Sequence, residues 1–318
     1  MTTKRVLFID TVHPLLQEAL EQQGFTCVDG YNLSKEDLMR QWNGYCGLVI
    51  RSRFKIDQAF ISKTSGLKFI ARAGAGMENI DVQAAEDAGI VCLNAPEGNR
   101  NAVAEHALGM LLAMQNHLIR ADREVRDGLW MREENRGTEV DGKTIGIIGF
   151  GHTGSAFARK LQGFDAHVLV YDPYVAVSKA DFPNTTQCGM QQLFEECDII
   201  SMHVPLTEET RYMANADFFS AFKKPIRFIN TSRGKVVDTA ALVEALKSGH
   251  VLQCALDVIE YESVSFEQLD AQNIPAPMQF LLNSDRALLT PHVAGWSHES
   301  HLKISQVLAE KIIRLFPA

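Results

Sequence analysis

The chain has 318 residues, 46% of them hydrophobic, and a formal net charge of −8. That length exceeds one ordinary core and suits two domains. The negative balance gives no electrostatic case for nucleic acid or an anionic membrane as partner, and no apolar run approaches the ~20 residues that cross a bilayer. The amino-terminal MTTKRVLFID enters a strand directly, unlike a cleaved signal. Strands are predicted at RVLFID (Arg5–Asp10), GLVI (Gly47–Ile50), LKFIA (Leu67–Ala71) and around Val91, with helical stretches between them. One long helix is predicted over Ala102–Asp127, apolar on most faces of its first half, the pattern of a helix buried between layers or subunits. Strands follow in the apolar run of Ile145, Ile147 and Ile148, in HVLVY, and in DIISMHV (Asp198–Val204), RFIN (Arg227–Asn230), Leu252–Asp257 and ALLT (Ala287–Thr290). This alternation, twice over, predicts an α/β protein of two doubly wound parallel sheets. Ser263–Asp285 is the least regular stretch, and its Pro275 and Pro277 suggest a surface excursion. The six cysteines (Cys27, Cys46, Cys92, Cys188, Cys197, Cys254) lack a CxxC pair or ligand spacing, so they read as reduced thiols of a cytoplasmic protein without a metal site.

The segment TIGIIGFGHTGSAFARKLQGFDAHVLVYD (Thr144–Asp172) is the most informative. Gly149 permits a tight turn off a strand, Gly151 lets a backbone approach a pyrophosphate, and Gly154 lets helix and strand pack closely. The helix beginning at this turn, which includes His152 and Thr153 of the cofactor-binding set, aims free N–H groups and its positive dipole end at phosphates. Asp172 stands where a carboxylate accepts hydrogen bonds from ribose hydroxyls. No Arg or Lys occurs between it and Lys179, so a 2′-phosphate would be repelled and NAD is favoured over NADP. A methyltransferase also uses a glycine turn and a strand-end acid, so the turn alone does not establish redox chemistry.

Three further segments follow predicted strands, where an open α/β sheet places its ligands. INTSRGKVVD carries Arg233, ALDVIEYE carries Asp257 and Glu262, and LLTPHVAGW carries His292. Read singly, Arg233 is equally a surface cation, Glu262 a solvated acid and His292 a turn histidine. In Arg72-Ala73-Gly74-Ala75-Gly76, small residues after a strand allow successive N–H groups to form an anion nest, or make only a tight turn.

Together these motifs resemble the D-isomer-specific 2-hydroxyacid dehydrogenase family, from about Val6 to near the carboxyl terminus. Within it the likeness is to the phosphoglycerate dehydrogenase branch, through VIRSRFKID (Val49–Asp57), ARAGAGMENID (Ala71–Asp81), NAPEGNRNAVAEHALGM (Asn94–Met110) and RGTEVDGKTIGIIGFG (Arg136–Gly151). The resemblance implies two Rossmann-like domains, a substrate domain of 1–97 and 291–318 around an inserted nucleotide domain of 98–290. It implies that His292 takes the C2 hydroxyl proton as hydride leaves for the nicotinamide, a task suited to a group that titrates near neutrality. Glu262 would pair with and orient His292, and Arg233 would grip the substrate carboxylate with its planar fork. Asp257 would accept from the nicotinamide carboxamide, or cap a turn. His203, Val204 and Pro205 would wall the adenine, and Thr231 and Ser232 complete the cofactor set.

Substrate capture would begin at Ala75 and Gly76. Arg51 and Arg72 are the cations for a phosphorylated substrate, with Arg132, from a partner subunit, as a further candidate; all three serve equally as structural ion-pair partners. His106 reads as a packing or interface residue. The implied reaction is NAD-dependent oxidation of 3-phospho-D-glycerate to 3-phosphohydroxypyruvate in serine biosynthesis. Glyoxylate or hydroxypyruvate reduction, another D-2-hydroxyacid dehydrogenase, and an NADH-gated corepressor-like binding protein stay open. A homodimer through the Ala102–Asp127 helix is expected. Two departures from the family pattern stand out: Ser263 where relatives often carry proline, and Trp296 where they carry smaller residues, which predicts a reshaped pocket. The chain ends soon after its final helix, which predicts that no serine-sensing regulatory domain follows.

Overall fold

The computed structural model describes residues 4–262 and 274–317. In chain order the first elements are β1 (Arg5–Phe8), α1 (Pro14–Gln22), β2 (Thr26–Asp29), α2 (Lys35–Arg40), β3 (Gly47–Ile50), α3 (Gln58–Ile61), β4 (Phe69–Arg72), α4 (Val82–Asp87) and β5 (Val91–Leu93). Then come α5 (Pro96–Gln115), α6 (Leu118–Arg126), β6 (Thr144–Ile148), α7 (His152–Leu161), β7 (His167–Tyr171), β8 (Thr185–Gln187), α8 (Met190–Glu196) and β9 (Ile199–Met202). The last are α9 (Ala216–Ala221), β10 (Ile226–Asn230), α10 (Thr239–Ser248), β11 (Val251–Leu256), α11 (Ala276–Leu282), β12 (Ala287–Leu289) and α12 (His298–Leu315). The described residues form two compact units, one running to Arg100 and resuming at Trp296, the other running from Asn101 to Gly295. The sequence-based boundaries at 97/98 and 290/291 lie a few residues from these, and the first observed division falls inside α5.

The first unit is a parallel five-stranded sheet in the order β2-β1-β3-β4-β5. Its central strands are apolar at successive positions because both faces are covered. Val6, Phe8, Val49 and Phe69 pack on Leu16 and Leu20 of α1 and Leu308 and Ile312 of α12, while Leu7, Leu48, Ile50 and Ile70 pack on Leu38 and Phe60.

The second unit is a parallel seven-stranded sheet in the order β12-β11-β10-β9-β6-β7-β8. Strand order reverses between β6 and β9, which makes their carboxyl ends the topological switch point. Ile145, Ile147, Val168 and Val170 pack on Phe157 and Leu161 of α7 and Ala107 and Leu111 of α5. Leu193, Phe219, Phe228 and Leu246 belong to a second cluster in this unit.

The strands expected from sequence are present. β2 (TCVD) and β8 (TTQ) were not anticipated, because each is an edge strand too short and polar to show an apolar run. The single helix expected over Ala102–Asp127 is two helices. His117 adopts φ 53° and ψ 29°, a left-handed conformation that interrupts the helix, and its Nδ1 accepts from Gln253 Nε2 at 3.2 Å. Burial, with Arg120 and Arg227 nearby, holds the His117 ring below its ordinary range, as an unprotonated acceptor requires. In the first half of the expected stretch, Ala104, Ala107, Met110, Leu111 and Met114 of α5 are buried, but α6 buries no residue. Of the stretch read as an excursion, 263–273 lies outside the described residues. Its later part forms α11, with Pro275 at the N-cap and Pro277 in the first turn, where a fixed φ and missing N–H are tolerated.

Candidate active site

The glycine turn is built by backbone packing. Gly149 has φ +91°, and a Cβ there would lie 2.6 Å from the His203 carbonyl oxygen. A Cβ on Gly154 would lie 2.0 Å from the Gly149 carbonyl oxygen, so α7 approaches the end of β6 as only glycine permits. Gly151 differs: a Cβ there would meet no protein atom within 4 Å. It is the N-cap of α7 and makes no side-chain cap, so the first-turn N–H groups, including those of the exposed His152 and half-buried Thr153, face open space. Asp172 ends β7 and braces this turn. Its Oδ2 accepts from Phe150 N at 2.6 Å, and its Oδ1 from Tyr174 N at 2.8 Å and Val175 N at 3.0 Å. The cradle therefore fits a bound dinucleotide: an uncapped helix end for phosphate and a carboxylate beside it for the ribose.

Past the neighbouring strands lie His203, Val204 and Pro205, then Thr231 and Ser232. His203 is 7% exposed, its Nε2 is 2.9 Å from Ser201 Oγ, and its ring packs on Phe157 with centroids 5.3 Å apart. Burial pushes its pKa down to about 3, so the ring is neutral. Val204 is half-buried and Pro205 exposed, its carbonyl accepting from Thr210 Oγ1 at 2.6 Å. Among the described residues, the buried His203 Nδ1 and Thr231 Oγ1 find no hydrogen-bond partner.

The turn after β10 presents Arg233. Asn230 organises it: Oδ1 accepts from Ser232 N at 3.0 Å and Ser232 Oγ at 2.7 Å, while Nδ2 donates to the Arg233 carbonyl at 3.0 Å. A Cβ on Gly234 would lie 2.1 Å from the Ile259 carbonyl oxygen, so this turn presses against the segment after β11. Arg233 is half-buried, with Nη1 donating to the Ser232 carbonyl at 2.6 Å. Beyond β11, Glu262 Oε2 meets His292 Nδ1 at 2.6 Å, with side chains 16% and 23% exposed. Glu262 Oε1 also accepts from the Ile259 N–H. A carboxylate on Nδ1 places the ring proton there and leaves Nε2 as the nitrogen for proton exchange.

Asp257 is 1% exposed and faces the turn that carries His292. Its Oδ1 accepts from Thr290 Oγ1 at 2.6 Å and Val293 N at 2.9 Å, and its Oδ2 from Ala294 N at 2.9 Å. Its carbonyl accepts from His292 N at 2.8 Å. Of the two roles read for this acid, the turn contact is the one formed within the protein. His106 reaches the same cluster, with Nε2 3.1 Å from Thr290 Oγ1, so it is more than a packing residue.

In the first unit, Arg51 follows β3 and Arg72 ends β4, with Ile50 and Arg72 in register. Asp10 Oδ2 accepts from the N–H groups of Arg51, Ser52 and Arg53 at 2.6, 3.1 and 3.2 Å. The Arg51 guanidinium lies 4.2 Å from the centroid of the Trp296 ring, which is itself 64% exposed. Gly74 makes room for Arg72, whose Nη1 would lie 1.5 Å from a Cβ at that position. Gly74 N–H donates to the Arg72 carbonyl at 2.8 Å, and Asn94 Nδ2 donates to the Ala75 carbonyl at 2.6 Å. Ala75 and Gly76 are half-buried at this turn. Arg132 is an exposed residue of the second unit. Sequence reasoning missed Asn230 and Thr290. An Asn two residues before a Ser at a strand end is the signature of a side-chain-closed turn and was available for the first; nothing local marks Thr290.

Residues 108–294 match the family described as D-isomer specific 2-hydroxyacid dehydrogenase, NAD binding domain. A D-3-phosphoglycerate dehydrogenase of Archaeoglobus fulgidus is 36% identical over 95% of the chain, and the alignment spans 56% of that relative, about half its length. A hydroxypyruvate reductase of Thermotoga maritima is 37% identical over 90% of both chains. Among solved structures, the D-lactate dehydrogenase of Aquifex aeolicus complexed with NAD and lactic acid superposes with a TM-score of 0.81 and 27% identity, covering 98% of this chain and 95% of that one. The strand order, the glycine cradle and these relatives converge: the chain belongs to the D-isomer specific 2-hydroxyacid dehydrogenase family and carries its NAD-binding domain.

Proposed function

We propose that the protein oxidises 3-phospho-D-glycerate to 3-phosphohydroxypyruvate with NAD, the entry to serine synthesis. The observation that carries the chemistry is the Glu262–His292 pair at 2.6 Å in the same unit as the Arg233 turn. Bound NAD supplies the acceptor for the hydride that leaves C2. His292 Nε2 takes the hydroxyl proton as the C2–O bond becomes a carbonyl, and returns it in the reverse reaction. Glu262 holds the ring from the other nitrogen and stabilises it once protonated. Arg233 engages the carboxylate and polarises the C2 oxygen. His152, Thr153 and the glycines take the pyrophosphate, Asp172 the ribose, His203 to Pro205 the adenine side, and Thr231, Ser232 and Asp257 the nicotinamide side. The N–H groups of Ala75 and Gly76 assist the carboxylate. Arg51 and Arg72, on adjacent strand ends, take the phosphate, supported by the phosphoglycerate dehydrogenases among the relatives.

A second reading is hydroxypyruvate reduction, favoured by the Thermotoga relative that aligns over nearly its whole length. Purified protein with NAD and 3-phospho-D-glycerate at alkaline pH, with the ketoacid trapped, separates the two when D-glycerate, D-lactate and 2-hydroxyglutarate run beside it. Selective NADH formation from the phosphorylated acid supports the first reading; turnover of unphosphorylated acids alone removes it.

The protein acts as a homodimer in the cytoplasm. The first point is supported by exposed Leu118, Ile119, Val125, Leu129, Trp130 and Met131, an apolar stretch unusual on a monomer, and the second by the free cysteines. Arg132 adjoins that stretch and would reach a partner's substrate. Light scattering at the mass of one chain would remove the dimer. No helix among the described residues is long and apolar enough to cross a membrane.

A further inference from the structure

We infer that His106 and Thr290 are positioning residues for His292, acting through Asp257. The starting point is a conformational cost. His292 has φ +54°, a left-handed backbone that disfavours a residue with a Cβ by about 1–2 kcal/mol, so the surroundings must hold it there. They do so through one carboxylate. Asp257 receives the N–H groups of Val293 and Ala294, and its carbonyl receives that of His292, so His292 and the two residues after it are tied to a single buried acid.

That acid is positioned in turn. Thr290 Oγ1 lies 2.6 Å from Asp257 Oδ1, and an ionised carboxylate only accepts, so the hydroxyl proton points at Asp257. The lone pair of the same oxygen then faces His106 Nε2 at 3.1 Å, which must carry a proton and donate. His106 Nε2 also stands 3.5 Å from Asp257 Oδ1. A one-way chain of donors therefore runs from α5 to the His292 turn: His106 N–H to Thr290, Thr290 O–H to Asp257, with Asp257 then receiving the turn's N–H groups. The helix anchors it, because the neighbouring Ala107 and Met110 are buried in the core of the same unit.

The inference depends on the dehydrogenase reading only for its kinetic arm, so the test has two arms. In the full chain, His106→Leu lowers kcat by roughly 10- to 100-fold, the size of effect expected from misplacing a reacting group by about an ångström. KM for the hydroxy acid and the NADH dissociation constant stay within about threefold, as expected of a residue whose effect falls on the reacting step. His106→Gln, which keeps a side-chain N–H at similar reach, and Thr290→Ser restore most of kcat, whereas Thr290→Val does not. Equal losses in His106→Leu and His106→Gln, or wild-type kcat in His106→Leu, overturn the inference. The second arm needs no turnover. A long-range proton–nitrogen correlation spectrum of histidine-labelled wild-type protein places the His106 proton on Nε2; a proton on Nδ1 alone overturns it even if every substrate fails.

Discussion

His203 and His292 stand past strands of one parallel sheet, the first after β9 and the second beyond β12, and the structure gives them opposite characters. His203 is wedged beside the glycine turn against Phe157, meets no carboxylate among the described residues, and is held neutral by burial. His292 keeps its side chain 23% exposed, has Glu262 on Nδ1 and is tied by its backbone to Asp257. Position at a strand end therefore does not make a histidine a proton carrier. An acceptor on one nitrogen and access to the other do.

The most direct attempt to break that contrast is His292→Asn. Turnover falls by roughly 10²- to 10⁴-fold while NADH binding, read by fluorescence titration, is unchanged; retained turnover would move the proton transfer elsewhere. Glu262→Gln keeps the shape and removes the charge, and kcat drops roughly 10- to 100-fold. A wild-type rate in that variant would reduce Glu262 to a bystander. Asp172→Ala removes acceptors for the Phe150, Tyr174 and Val175 N–H groups and weakens the cradle. KM for NAD then rises about tenfold or more, since a hydrogen bond to a charged group contributes about 1.5–3 kcal/mol.

His203 sharpens the comparison through stability. Its folded pKa of about 3 lies below the ordinary value of 6.5, so as pH falls the unfolded chain takes up the proton first. Stability present above about pH 6.5 is therefore lost towards pH 3, by about 2 kcal/mol at about pH 5. Denaturant melts of wild type and His203→Phe should diverge in that window, the variant having the shallower pH dependence. Parallel curves would show that the ring is protonated in the fold. The smallest effect expected is at Trp296. Removing its ring from Arg51 by Trp296→Ala changes KM for a phosphorylated acid by about two- to fivefold, the scale of one exposed cation–π contact. An unchanged KM for all acids would separate this stack from substrate choice.

Much of the fold was legible because parallel strands buried on both faces are apolar throughout, as in TIGII and HVLVY, and stand out from any neighbour. β2 and β8 were not legible, since an edge strand borrows its order from the strand beside it. The break at His117 was hidden for a related reason: its ring is held by Gln253, a residue remote in sequence. In the candidate site, Arg233, Glu262 and His292 were legible as chemical types after strands. Their pairing distances, and the employment of Asp257 on the His292 turn, were not.

The period and order of most elements, the glycines of the β6–α7 turn and the acid at the end of β7 follow from local sequence, because they depend on residues close together in the chain. It took the packed fold to bring together His106 of α5, Thr290 after β12 and Asp257 after β11, to bury His203 as a neutral ring, and to set Trp296 over a face of Arg51. Such contacts join positions far apart in sequence. Hydrogen bonds and burial act over a few ångströms, so their outcome is set only when the sheet brings those strand ends together.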